Sequence, residues 1–152
     1  MRRSDREIKD INAIKKIISE AEVLRIALTK DNVPYLLPLS FGFDGENFYF
    51  HTAKEGEKLK YFYADNPVCF ELDTGTKLYI DEGKACRFSH LYKSVIGWGK
   101  IEELTQKDDK IFGLNILMKQ YSNKKWIYPD NAVDACKIWK LKIEKMTGKQ
   151  CK

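Results

Sequence analysis

Histidine, cysteine and ready-made catalytic signatures are what this sequence has least of. It carries two histidines and four cysteines, Cys69, Cys86, Cys136 and Cys151, widely spaced and with no C-x-x-C pair. That lacks the ligand spacing of a zinc site, and no metal centre is expected. No uninterrupted apolar run approaches the ~20 residues that a membrane helix needs, so no membrane partner is expected. The opening stretch "MRRSDREIKD" is charged and has no apolar centre, so no secretory leader is expected. Reduced thiols and a cytoplasmic location are the corresponding expectation. There is no G-x-S-x-G elbow, no Walker loop and no G-x-G-x-x-G after a strand. An enzyme without its own acid, base or nucleophile in a recognisable setting would have to lean on a cofactor.

What is present suits one globular domain over residues 1–152. The chain is 43% hydrophobic and 12% aromatic, with eight Phe, eight Tyr and three Trp, enough for a core and a planar-ligand wall. A net charge of +5 is mild for a nucleic-acid binder, and no nucleic-acid partner is expected. The excess gathers near the end, at Lys137, Lys140, Lys142, Lys145, Lys149 and Lys152. It reads as a solvated strand face with a frayed tail, or as a field for an anionic ligand.

Periodicity predicts a mainly β chain with peripheral helices. Ser4 and Glu7 form a capping box ahead of Ile8, Ile11, Ile14, Ile17 and Ile18, which recur at helical spacing. "EVLRIALT" alternates as a strand and "KDN" turns it. "PYLLPLSFGFDGENFYFHT" reads as two strands about Asp44-Gly45, with Pro38 marking an edge or a bulge. "EGEKLKYFYADN" reads as a helix stopped by Pro67, "VCFELD" as a strand, and residues 75–91 stay ambiguous. "SVIGWGKIEEL" is a strand whose Gly97 and Gly99 share a face, "KDDKIFGLNILMKQY" an amphipathic helix, and "CKIWKLKIEKM" a closing strand. Cys69 is read as a small core residue and His90 as a loop residue. Strands joined by hairpins favour an antiparallel barrel over a parallel sheet.

One stretch, "YFHTAKEGEKLKYF", raises the question of an anion site. A strand ending at Thr52 that feeds a helix near Glu55 exposes unpaired N–H groups. Gly56 admits close approach to the backbone, and Lys58 supplies charge, with Lys54 and Lys60 nearby. The competing reading is a Gly-containing turn with surface lysines. His51 reads either as a core or interface residue among aromatics or as a donor beside a ligand. Paired acids at Asp108-Asp109 suit a helix start.

Four segments in order, "MRRSDREI", "PYLLPLSFGF", "YFHTAKEGEKL" and "YKSVIGWGK", together with the closing "WKLKIEKMTGK", resemble the pyridoxamine 5'-phosphate oxidase-like flavoproteins, most closely the nitroimidazole-resistance branch. The resemblance covers essentially the whole chain. It implies an FMN-binding split antiparallel β-barrel and a homodimer with FMN at the subunit interface. It places the phosphate at His51, Thr52, Ala53, Gly56, Glu57 and Lys58. It runs Pro38, Leu39, Ser40 and Phe41 along the flavin ring through their backbone, and completes the pocket with Tyr92, Ser94 and Val95. His51 becomes the catalytic candidate, facing flavin or substrate, with Trp126 or Tyr128 capping the site and Gly97 and Gly99 allowing close approach. The implied activity is FMN-dependent reduction of small electron-poor molecules such as nitroimidazoles. The alternative is a flavin- or haem-binding protein of the same fold without catalysis. The true oxidases end in an Arg-containing substrate grip. Here the only arginine after Arg25 is Arg87, which argues against vitamin B6 oxidation.

Overall fold

The computed structural model describes residues 3–151. Its centre is one eight-stranded antiparallel sheet. The strands are β1 (Glu7–Ile8), β2 (Leu24–Lys30), β3 (Val33–Leu39), β4 (Gly42–Phe43), β5 (Asn47–Ala53), β6 (Val68–Tyr79), β7 (Ser89–Leu104) and β8 (Cys136–Cys151). The order across the sheet is β3-β2-β6-β7-β8-β5-β4, with β1 beside β8. β3 and β4 are opposite edges of this path, yet only Ser40 and Phe41 join them. The sheet must therefore curl until its edges meet without a ladder between them, which is a split barrel. The expected fold class is the one found.

Local chemistry explains the hairpins. Asp31 and Asn32 both take positive φ, 50° and 62°, and they close a two-residue turn in which Lys30 faces Val33. Pro34 and Pro38 both lie on β3, the sheet edge, where a missing N–H costs least. In the β4–β5 turn the Asp44 carboxylate accepts from the N–H groups of Glu46 (2.8 Å) and Asn47 (2.7 Å) and from the Tyr49 hydroxyl (2.8 Å).

Alternation on the strands fills the barrel. Phe41, Phe48, Phe50, Phe70, Leu24, Ile26, Leu72, Val95, Trp139 and Leu141 are buried inside. Each such large side chain contributes about 1.5–3 kcal/mol. Helix α1 (Ile11–Glu20) closes the barrel with Ile14, Ile17 and Ile18. Its start differs from the Ser4–Glu7 box. Ser4–Arg6 is a 3-10 turn, Glu7 and Ile8 pair with Lys149 and Gly148, and the Asp10 side chain caps the helix by accepting from Asn12 N–H at 3.0 Å. Pairing with β8 overrides the local capping signal.

The ambiguous 75–91 stretch is strand at both ends, with a loop and a 3-10 turn (Ala85–Arg87) between them. β6 runs to Tyr79, and β7 begins at Ser89, so His90 lies in a strand and not in a loop. Cys69 is half-buried on the outer face, between Ala27 and Trp98, and is no core residue. Up to Cys151, which still pairs with Tyr92, the C-terminal segment is strand and no frayed tail; Lys152 lies outside the described residues. Helix α3 (Lys107–Tyr121) forms as expected but is not amphipathic, since only Gly113 and Leu117 are buried and Phe112 is exposed. It docks by close approach instead. Gly113 packs against Ile138, Leu104 and Tyr49, and Gly42 of β4 meets the α3 backbone at Ile116. Among the described residues no helix is long and apolar enough to cross a membrane.

Candidate functional site

The corner after β5 is longer than its sequence suggests. The strand ends at Ala53 and the helix α2 covers only Lys58–Phe62. Two of its first N–H groups are already used, because Leu59 donates to Gly56 O (3.2 Å) and Lys60 to Glu57 O (3.1 Å). A five-residue helix has little dipole, so anion affinity here rests on side chains and on the turn. Gly56 has φ 119°, a conformation that residues with a Cβ avoid. Lys58 Nζ folds back to within 3.3 Å of the Glu55 carbonyl and has no carboxylate partner among the described residues. Lys60, by contrast, is paired with Glu57 at 2.9 Å.

α2 is pinned across the split. Tyr61 stacks on Tyr35 of β3 at 4.8 Å, while Phe62 packs on Phe50 and, at 4.7 Å, on Trp139. This fixes the corner against both edges of the sheet.

Parity along β5 sorts its side chains. Phe48, Phe50 and Thr52 point inward; Tyr49, His51 and Ala53 point outward. α3 covers Tyr49 through Phe112 at 5.6 Å and leaves His51 exposed. The Thr52 hydroxyl is engaged internally, since it accepts from the buried Trp139 Nε1 at 2.9 Å and donates to Ala53 O at 3.1 Å. It can offer an external ligand its backbone only. The same holds for Phe41 and Val95, whose side chains lie in the core. Phe41 N–H already donates to Tyr121 Oη at 3.0 Å. Pro38 and Ser40 are exposed and Leu39 is half-buried. The bare faces of Gly97 and Gly99 meet protein, not open space: a methyl on Gly97 would lie 2.5 Å from Lys145 O and against the Phe70 ring, and one on Gly99 would strike Lys142 O. Their role is packing beside a bulge in β7 and β8.

The candidates fall into two groups. His51 lies across from Ile138 of β8, whereas Ser94 lies across from Lys149 of the same strand. At ~3.3 Å per residue that stretch of β8 has a contour of about 35 Å. One chain therefore holds His51–Lys58 at one end of the barrel and Tyr92, Ser94 and Val95 towards the other, and Pro38 sits on the side of the second group, in one row with Arg25, Glu71 and Ile96.

The inward ion pair beneath the corner was not foreseen. Lys137 faces Thr52 across the ladder. Its Nζ bonds Glu103 at 2.7 Å, and Glu103 also accepts from the Tyr63 hydroxyl. The bond to Glu103 raises the Lys137 pKa. Burial pushes the Glu103 carboxyl up, but the bonds from Lys137 and Tyr63 outweigh it and leave it below its usual range. The signal was a charge at the same parity as Trp139 and Leu141. Near the capping loop, Trp126 is exposed, while the Tyr128 hydroxyl is buried with no hydrogen-bond partner.

The family described as pyridoxamine 5'-phosphate oxidase matches residues 10–150. No curated protein matches the sequence significantly. Among solved structures, a Bacteroides thetaiotaomicron protein whose name proposes 5-nitroimidazole antibiotic resistance superposes with TM-score 0.84 at 31% identity, over 95% of this chain and 86% of its own. A flavocytochrome from Azotobacter vinelandii superposes with TM-score 0.87 at 19% identity, over 100% of this chain and 72% of its own. An FAD- and haem-binding protein from Mycobacterium smegmatis gives 0.86 at 14%, over 97% and 74%. The last two share the fold. Matched over nearly its whole length, and with a relative of nearly equal extent at 31% identity, the chain belongs to the pyridoxamine 5'-phosphate oxidase-like family, in its nitroimidazole-resistance branch.

Proposed function

We propose that the protein is an FMN-dependent oxidoreductase that reduces small electron-poor molecules, nitroimidazoles being the model substrate. The observation that carries this reading is the corner from Ala53 to Lys58. It joins a glycine at positive φ to an ammonium with no carboxylate partner among the described residues, next to an exposed imidazole on the outer face of β5. Those residues fit a phosphate-bearing planar cofactor. Lys58 and the free backbone N–H groups of the Gly56 turn would hold the phosphate. The exposed backbone from Pro38 to Ser40 would line the ring. Bound FMN would supply hydride transfer to the substrate.

The chain's own groups would do the rest. His51 offers an N–H donor to an oxygen of the substrate, which holds the acceptor in place and delivers a proton as charge develops. Its exposure leaves the imidazole accessible from outside the barrel. The 35 Å contour of β8 supports a site shared between two copies, with Tyr92, Ser94 and the Val95 backbone coming from the second. A homodimer is thus part of the proposal, and the affinity of that dimer should track cofactor content.

The test is the visible spectrum of the protein as purified, followed anaerobically with NADH or NADPH and then with a nitroimidazole. Flavin bands that bleach with the donor and return with the nitro compound support the reductase. A flavin that no donor bleaches leaves a binder only and overturns catalysis. The double variant Lys58→Ala with Gly56→Val should fold and purify colourless; undiminished flavin absorbance would mean that the phosphate lies elsewhere.

A further inference from the structure

We propose that the cavity at the far end of β8, between the β6–β7 hairpin and the first turn of the chain, binds a small organic anion: an aromatic or apolar body carrying a carboxylate. This goes beyond the flavin reading and does not depend on it. The cavity has a volume of about 650 Å³, within the range of small-molecule sites. Its apolar wall is made by Tyr79, Phe88 and Leu91. Phe88 and Tyr79 are nearly half exposed, at 48% and 47%, a large apolar surface for a hairpin to leave in water.

Its polar wall is positive. Arg6 and Arg87 both line it, and among the described residues no carboxylate side chain does. Arg87 touches Asp81 at 3.3 Å through one nitrogen. That carboxylate is also held by the N–H groups of Gly83 (3.0 Å) and Lys84 (3.1 Å). Most of the guanidinium fork is left for another partner. Arg3, the next arginine along the chain, is tied to Asp5 at 2.6 Å, whereas Arg6 has no carboxylate within 4 Å among the described residues. Two guanidinium groups beside an aromatic wall suit a planar carboxylate, which a fork can engage with two parallel hydrogen bonds. A neutral ligand would leave Arg6 without a counter-ion and Arg87 with only its single contact to Asp81.

Two thiols, Cys86 and Cys151, also line the cavity and report on its occupancy. The experiment follows alkylation of each cysteine by neutral iodoacetamide, using mass spectrometry. The probes are 4-nitrobenzoate and the uncharged 4-nitrobenzyl alcohol. The benzoate is expected to slow alkylation of Cys86 and Cys151 and to leave Cys69 and Cys136 unchanged, with the alcohol protecting much less. Arg6→Gln and Arg87→Gln should each weaken protection about threefold, the effect of one charge a few ångströms away in a solvated site. Equal protection by the alcohol, no protection at all, or protection unchanged in both variants overturns the proposal. So does protection by FMN alone, which would assign the cavity to the cofactor. A second measurement needs no variant. The ratio of iodoacetate to iodoacetamide rates should be higher at Cys86 than at Cys69, which lies beside Glu71; a ratio no higher refutes a positive cavity. A protein that purifies without flavin yet passes these tests would sink the reductase reading and leave this one standing.

Discussion

Thr52→Val is the perturbation that best tests how the candidate site is held. Thr52 and Trp139 are buried, at 5% and 1% exposure, and the indole N–H donates to the threonine hydroxyl at 2.9 Å. Valine keeps the shape and removes the acceptor. The Trp139 ring cannot swing out to water, because Phe62 packs on it at 4.7 Å and Tyr63 at 5.4 Å. An indole N–H left buried without a partner costs about 1–3 kcal/mol. In a domain of this size about 2 kcal/mol lowers Tm by roughly 4–8 °C. Thr52→Ser keeps the acceptor and loses one methyl, which costs about 1 kcal/mol. The expected order in urea unfolding is therefore wild type, then serine, then valine, with unchanged m-values. A valine variant as stable as the serine variant would refute the reasoning, since the hydroxyl would then contribute nothing that its methyl does not.

Three further outcomes follow from the packing and the charges. Gly97→Ala should cost about 1–3 kcal/mol, because its methyl would meet Lys145 O and the Phe70 ring; an unchanged urea midpoint would show that β7 and β6 can part there. Glu103→Gln should destabilise by about 1–3 kcal/mol through the stranded Lys137, and Lys137→Met added to it should recover part of the loss; additive effects in that double-mutant cycle would deny the coupling. For Asp44, burial pushes the carboxyl up, but the bonds from Asn47, Glu46 and Tyr49 outweigh it and hold it below its usual value. A group depressed in the folded state stabilises above its unfolded pKa, and that contribution is lost as pH falls through the folded value. Asp44→Asn should thus be less stable at neutral pH and lose less stability below about pH 4; an acid limb as steep as that of the wild type would remove Asp44 from the account.

Much of the barrel was legible because strand alternation is a strong local signal. The parity of Leu24, Ile26 and Leu28, and that of Trp139 and Leu141, translates directly into burial. The failures have physical causes. Ser4 and Glu7 carry a helix-start signal that pairing with Lys149 and Gly148 overrides. Gly97 and Gly99 are compatible with a ligand or with packing, and only the positions of Phe70, Lys145 and Lys142 decide between them. Thr52 reads as a potential ligand until its hydroxyl is found bonded to an indole 87 residues away. The corner's residues were identifiable, whereas its electrostatics were not: a helix of five residues with two N–H groups already committed is a weaker anion site than a longer helix would be.

The length of β8 links these points. A 16-residue strand runs past β5 at one end and past the Tyr92 segment at the other, so the sheet keeps the His51 corner and the Tyr92 group of candidate residues apart on one barrel. Uncurling the sheet to join them would sacrifice the core of Phe48, Phe50, Phe70 and Trp139 that defines the barrel. The proposed homodimer would solve the problem at no such cost, because an isologous contact about a two-fold axis would set each copy's corner against the other's distal segment and make two equivalent sites at once. Such a contact would use the outer face between the two groups. Leu36, Ala27, Cys69 and Trp98 stand in one row across β3, β2, β6 and β7, with Leu36 67% and Trp98 38% exposed. A charge placed in that row, as in Leu36→Glu, should therefore remove flavin from a chain that still folds, although residue 36 belongs to neither group.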